Sequence, residues 1–490
     1  MLVKSASQSL AEQLAERLAE RIRSRLLAPG TRLPSVRLCA QQQGVSPSTV
    51  VAAYDRLLAK GLVDAHRNRG FYIRNQALAQ TELGQVDIKI IASDTLQIRA
   101  AAGPSLPQVP VDAAALIRGM FHDHGGLPQP GMGAFPPDWL ETNFMSAAVR
   151  RFSSGEALKA LSLHYGEPAG DAGLRQALAS RLGSLGVAAT PQQIMTTVGA
   201  THALDVVSRT LLRAGDFVMV EEPGWAVEFA RLAALGMRVL PVPRGPDGPD
   251  LEVMANYCEL HAPKLFVSVS VFHNPTGFCL SAGHAHRVLQ LAEQFDFHVV
   301  EDDTYSHLAP DHATRLCALD GLQRSIYVSG FAKVLAPGWR VGFLAAPTAL
   351  FERLLDTKLL GTLTTPALFE KALAWCISHG QLRRHAQQLR TRLDLARSRS
   401  VKLALSHGCS FATPPAGLFG WVDTGVDTDA LAQCMLDKGY LLAPGALFHA
   451  QHTPSTLMRI NFCTTQHAKF WQLFAQERDA MRGTRASSRA

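Results

Sequence analysis

The chain has no apolar run of about 18 residues, the minimum for a membrane-spanning helix. It also lacks a signal-peptide core, because Glu12, Glu16 and Arg17 interrupt the apolar pattern near its start. Its eight cysteines stand far apart, at 39, 258, 279, 317, 376, 409, 434 and 463, and none forms a Cys-x-x-Cys pair. Neither a disulfide framework nor a zinc site is therefore indicated, no metal is expected, and a cytoplasmic protein is. Charge imbalance is missing from most of the chain. Residues 1–75 hold 12 of the 48 basic and 5 of the 41 acidic residues, which leaves 36 of each sign for the remainder. The whole formal excess of +7 thus belongs to the first 75 residues, as expected of a module that meets phosphate backbones. With 490 residues and 47% hydrophobic content, two or three globular domains are expected.

In the basic segment, Leu10, Leu14, Leu18, Ile22 and Leu26 recur every four residues and predict an amphipathic helix ending at Pro29-Gly30. Ser35 can cap a second helix over Val36 to Gln43, stopped by Gly44. Ser46 can cap a third, with Pro47 at the first position, where a missing N–H costs nothing. Val50, Val51, Tyr54, Leu57 and Leu58 give that helix its apolar face, and Gly61 ends it. Two β-prone runs follow, Leu62 to Ala65 and Phe71 to Ile73, joined by the basic turn His66-Arg-Asn-Arg-Gly70. Three helices and a hairpin make an α+β winged helix-turn-helix, with Ser46, Ser48 and Thr49 at the major groove and the hairpin tip on the adjacent backbone. The segments Leu33-Pro-Ser-Val-Arg37, Val45-Ser-Pro-Ser-Thr-Val50 and Ala53-Tyr54 through Gly61-Leu62 resemble the GntR family of bacterial regulators. That resemblance implies DNA contacts from Arg37, Ser48, Thr49 and the wing arginines Arg67 and Arg69. The chain departs from it at Pro47 and Val51, where many members carry arginine.

Residues 76–110 show little periodicity and read as a linker and lead-in arm, with a short strand conceivable over Val86 to Ile91. From 111 to 480, apolar strand-like runs alternate with helical patterns, predicting an α/β domain with functional residues at strand ends. A disordered tail is expected over 481–490. Lys333 stands seven residues ahead of Arg340 in Ser329-Gly-Phe-Ala-Lys-Val-Leu-Ala-Pro-Gly-Trp-Arg340. A lysine that forms a Schiff base needs a nearby anion anchor for its aldehyde partner, and Arg340 can grip a phosphate. Gly199-Ala-Thr201 opens a helix whose free N–H groups suit the same phosphate. Trp225 can stack on an aromatic ring, or belong to the core. Asn274, in Asn274-Pro-Thr-Gly277, can donate to a ring oxygen, or shape an ordinary turn. Asp302 ends an apolar run, so its charge calls for a partner such as a protonated pyridine nitrogen, and Tyr305 follows three residues on. Glu301 and Asp303 read as structural or solvent-facing. Arg459 can clamp a carboxylate or serve a structural ion pair.

Taken in order, these segments, with Tyr165-Gly-Glu-Pro-Ala-Gly170 and Glu222-Pro223, resemble the fold-type I pyridoxal-phosphate-dependent aminotransferases, including their smaller C-terminal α/β subdomain. The resemblance implies that Lys333 forms the internal aldimine and that Arg340, Ala200, Thr201 and Ser329 hold the phosphate. It further implies that Asp302 keeps the pyridine nitrogen protonated, Asn274 and Tyr305 hold the ring oxygen, Trp225 stacks, and Arg459 binds an α-carboxylate. Relatives commonly carry hydroxyls three and one residues before the lysine, where this chain has Gly330 and Ala332. End to end, the layout resembles the MocR-type regulators. That implies a homodimeric transcription factor that senses a small amine or amino acid by aldimine exchange at Lys333. The rival expectation is a working aminotransferase with a vestigial DNA-binding module; a third is a regulator that has lost its cofactor.

Overall fold

The computed structural model describes residues 8–23, 27, 32–66, 70–74, 127–140 and 142–487. The expected helix stop at Pro29-Gly30, the linker 76–110 with its strand over Val86 to Ile91, and the wing residues Arg67 and Arg69 lie outside the described residues. The chain divides into two units, Met1–Asp123 and His124–Ala490.

In the first unit, helices α1 (Leu10–Arg23), α2 (Val36–Gln43) and α3 (Pro47–Ala59) precede strands β1 (Val63–His66) and β2 (Gly70–Ile73). The strands pair antiparallel, Val63 opposite Ile73. Leu14, Leu18, Val50, Tyr54, Leu57 and Ile73 share one core, and the Tyr54 hydroxyl donates to the Pro34 carbonyl at 2.8 Å. Both expected caps form. Ser35 Oγ accepts from Leu38 N and Ser46 Oγ from Thr49 N, and Pro47 sits in the first turn of α3. The apolar face assigned to α3 needs one correction: Val51 is 43% exposed and faces outward.

The second unit is built on a seven-stranded sheet of order β3-β9-β8-β7-β6-β4-β5. Its strands are β3 (Ile194–Thr197), β4 (Phe217–Glu222), β5 (Arg238–Pro243), β6 (Leu265–Ser268), β7 (His298–Asp302), β8 (Ser325–Gly330) and β9 (Gly342–Ala345). Pairs among β4 to β8 are parallel, whereas β9 runs antiparallel to both its neighbours. The central strands are buried on both faces, which is why they read as continuous apolar runs. A smaller antiparallel sheet has the order β10 (Ser410–Phe411), β11 (Phe419–Asp423), β13 (Leu457–Asn461), β12 (Ala443–Pro444). The last helix, Ala468–Ser487, runs through the boundary at 480/481, so regular structure extends into the segment expected to be a disordered tail. Parallel strands deliver their following loops to one edge, and Trp225, Asn274, Asp302 and Lys333 all follow or end such strands.

Candidate functional site

Lys333 lies three residues beyond β8. Val334 N and Leu335 N both donate to the Phe331 carbonyl, at 3.0 and 2.8 Å, and fix the turn that carries it. Its Nζ donates to the Gly133 carbonyl at 2.6 Å. Burial, then the nearby positive charges of Arg459 and Arg340, push its amine down to about 8 against the opposing pull of Asp302. A depressed lysine has a larger neutral, nucleophilic fraction near neutral pH.

Asp302 closes β7 and is 9% exposed. Thr304 donates to its Oδ1 through both its amide and its hydroxyl, and no hydrogen bond reaches Oδ2 among the described residues. Burial pushes this carboxyl up to about 6, so a cation placed beside it would be strongly attracted. Trp225 and Asp302 line the same small cleft, together with His273. Tyr305 is buried and hydrogen-bonds the Asn274 side chain, and burial raises its hydroxyl above the usual range. Asn274 Oδ1 in turn accepts from Arg459 Nη1 at 3.0 Å. Glu301 and Asp303 are structural, as one of the two sequence readings had it. Glu301 accepts from Leu316 N and Cys317 N at 2.7 and 2.9 Å, and Asp303 from Arg315 and Tyr327 at 2.6 and 2.9 Å.

The anion cradle forms where β3 leads into the helix Ala200–Leu211. Ala200 and Thr201 occupy its first turn, where a helix's N–H groups have no partner of their own. Gly199 precedes them at φ 82°, and a Cβ there would meet Arg340 Nη2 at 2.6 Å. Arg340 also reaches the Val198 carbonyl at 3.3 Å. Gly342 lets β9 approach this turn, because a Cβ on it would overlap the Gly199 backbone. Ser329 does not join the cradle. It is 1% exposed within β8, and its hydroxyl donates to the Asp303 carbonyl at 2.9 Å. Gly330, by contrast, faces it: a Cβ there would stand 3.3 Å from Ala200 N.

Arg459 reaches the site from β13 of the smaller sheet. It is 3% exposed, stacks over Phe419 at 4.4 Å, and donates Nη2 to the Gly131 carbonyl at 2.5 Å. Its Nε is buried with no hydrogen-bond partner among the described residues, and burial lowers its guanidinium to about 10. The sequence reading missed Gly131 and Gly133, whose carbonyls hold Arg459 and Lys333. Their signal was the Pro130-Gly-Met-Gly133 run, in a stretch without periodicity. A Cβ on Gly131 would overlap the Leu442 backbone, so glycine is needed for the arm to pass there.

In the first unit, Arg37 and Ser48 are exposed and Thr49 is half-buried. Ser46 Oγ contacts both the Ser48 and Thr49 hydroxyls at 2.8 Å. Several basic residues are already paired: Arg56 with Glu12 at 2.8 Å, Arg74 with Asp64 at 2.6 Å, and Lys60 with Glu16. Arg37 makes no ion pair among the described residues.

Comparison with known proteins agrees with both halves. The family described as aminotransferase class I and II matches residues 141–473, and the gntR family of bacterial regulatory proteins matches residues 10–73. The probable rhizopine catabolism regulatory protein MocR of Rhizobium meliloti is 30% identical, over 74% of this chain and 70% of that protein. The chain belongs to the MocR-type regulators. An uncharacterized HTH-type transcriptional regulator of Escherichia coli, YdcR, is 28% identical over 94% of both chains. Among solved structures, kynurenine aminotransferase from Pyrococcus horikoshii is similar with a TM-score of 0.67 and 25% identity, covering 75% of this chain and 93% of that one. In this MocR-type chain the residues present fit pyridoxal 5′-phosphate. A helix N-terminus beside Arg340, a depressed lysine and a buried carboxylate whose Oδ2 accepts no hydrogen bond among the described residues match its phosphate, aldehyde and pyridine nitrogen.

Proposed function

We propose that the chain is a homodimeric, DNA-binding transcriptional regulator of the cytoplasm that binds pyridoxal phosphate and responds to a small amine or amino acid received at Lys333. The observation behind this reading is the convergence of Lys333, Asp302, Asn274, Tyr305 and Arg459 in a chain that begins with a winged helix. When bound, pyridoxal phosphate supplies an aldehyde that condenses with amines and a ring that withdraws electrons. Lys333 holds the aldehyde end, and its lowered basicity keeps a neutral amine available. Asp302 would hold a proton at the pyridine nitrogen, while Asn274 and Tyr305 would orient the ring oxygen. Ala200, Thr201 and Arg340 would hold the phosphate, and Trp225 would stack on the ring. Arg459 keeps a full charge near neutrality and can receive the carboxylate of an amino-acid effector bidentately.

An apolar surface supports self-association. The helix Gly155–Leu163 buries none of its residues, and Leu163, Tyr165 and Leu360 are 66%, 82% and 92% exposed. Next to Tyr165, a Cβ on Gly166 would stand 3.5 Å from the Thr365 carbonyl, and exposed apolar side chains of this kind favour a protein partner. Two winged helices in a dimer would read paired half-sites.

Footprinting of the cofactor-loaded chain on DNA upstream of its own gene tests this reading. Expected is protection of two half-sites that changes when the effector amine is added; absence of any protected site contradicts it. The intact set of Lys333, Asp302 and Arg459 also favours a second reading, an active aminotransferase. Many turnovers with an amino acid and a 2-oxo acid, without DNA binding, would establish that instead.

A further inference from the structure

Behind the loop that carries Lys333 lies a cavity of about 340 Å³, within the range of small-molecule sites. Lys333, Asp302, Arg340 and Arg459 take no part in its lining. Its apolar wall comes from Leu178 and Leu182 of the helix Ala172–Ser184, with Phe331 and Phe343. Its polar side carries Arg383 and Arg390 of the helix Gln381–Ser406, with Arg181 opposite. Positive charge is in excess there. Arg181 is matched by Asp311 at 3.0 Å. Arg390 spends only Nε, on the His307 carbonyl at 2.9 Å, and Arg383 makes no hydrogen bond or ion pair among the described residues. His307 adds no charge, because burial, then Arg181 and Arg390, push it down to about 3.

We propose that this cavity is a second ligand site, for a small monocarboxylate with an aromatic or branched apolar body. The apolar part fits against Leu178, Leu182 and Phe331, and the carboxylate meets Arg383 and the free Nη groups of Arg390. An amine is not required, so the site differs in ligand class from the one at Lys333, and it does not rest on the reading given above. Its wall is continuous with the cofactor site at two points. Phe331 contacts the His307 ring at 5.4 Å, and its carbonyl organises the Lys333 turn. His307, held by Arg390, lies in the same turn as Tyr305, whose carbonyl accepts from Leu308 N at 2.9 Å. A bound acid therefore stiffens both segments that position Lys333 and Tyr305.

Hydrogen exchange of the full chain with hydrocinnamate, and with hydrocinnamyl alcohol as its neutral counterpart, tests the proposal. Expected is protection of segments 177–185, 303–310 and 381–390 by the acid alone, retained in Lys333→Ala. Arg383→Gln combined with Arg390→Gln is expected to weaken the acid roughly tenfold or more, as loss of charge-assisted bonds requires. Thermal unfolding of that variant, matched to the parent, shows that the fold is retained; Arg383→Gln alone, at an exposed position, serves if it is not. Protection by the alcohol as strong as by the acid, no protection at millimolar acid, or binding lost in Arg459→Lys but not in the arginine-to-glutamine variants would overturn it.

Discussion

Lys333 is set by opposing influences on a single amine. Burial and two neighbouring arginines favour the neutral form, while Asp302 and the Gly133 carbonyl favour the charged one. The neutral fraction rises with pH through about 8, so the rate of pyridoxal phosphate incorporation, followed by the visible absorption of the protein, should rise through the same range. Arg459→Met removes one of the depressing charges and should move that midpoint to higher pH; an unmoved midpoint would separate the two groups. Asp302→Asn removes a buried charge that would face the pyridine nitrogen in the proposed site and should weaken cofactor retention about ten- to hundredfold, measured by equilibrium dialysis. That Asp302, Asn274, Lys333 and Arg340 belong together was legible in sequence, because they sit in short segments with turn residues. Ser329 was misread. One position along a strand reverses the side-chain direction, and the hydroxyl went to Asp303 rather than to the cradle.

Elements place these residues, and the tolerances between elements are narrow. Strand β9 approaches the Gly199 turn only because Gly342 lacks a Cβ, and the Gly131–Gly133 arm passes β12 for the same reason. Gly131→Ala would put a methyl against the Leu442 carbonyl carbon at 2.5 Å. It should displace the arm, loosen both Arg459 and Lys333, and abolish stable cofactor binding while leaving DNA affinity intact. In α3, Ser46→Ala removes a cap worth about 1 kcal/mol and should raise amide exchange across that helix and weaken DNA binding. Helix caps and strand ends were readable because local residues dictate them. The arm was not, since its role depends on contacts with β12 and β13, more than 300 residues away in the chain.

At the scale of the whole molecule, one chain carries a basic winged helix and a charge-balanced aminotransferase-like unit, and the proposed regulation requires the two to be coupled. The exposed Leu163, Tyr165 and Leu360 predict a dimer. Leu360→Glu should shift the protein toward monomer in light scattering and reduce affinity for a paired site far more than for a half-site. Basic segregation was evident from composition, and domain order from the motifs along the chain. The exposed apolar surface was not, because an exposed leucine and a core leucine look alike in sequence. The measurement closest to the central proposal is fluorescence anisotropy of the loaded protein on its upstream DNA, against scrambled DNA, across a salt series and with candidate amines. Expected is a preference for the upstream DNA that survives moderate salt and changes with an amine in the parent, but not in Lys333→Ala. Equal, salt-labile binding to both DNAs, or an amine response unchanged in Lys333→Ala, would contradict an amine-sensing regulator.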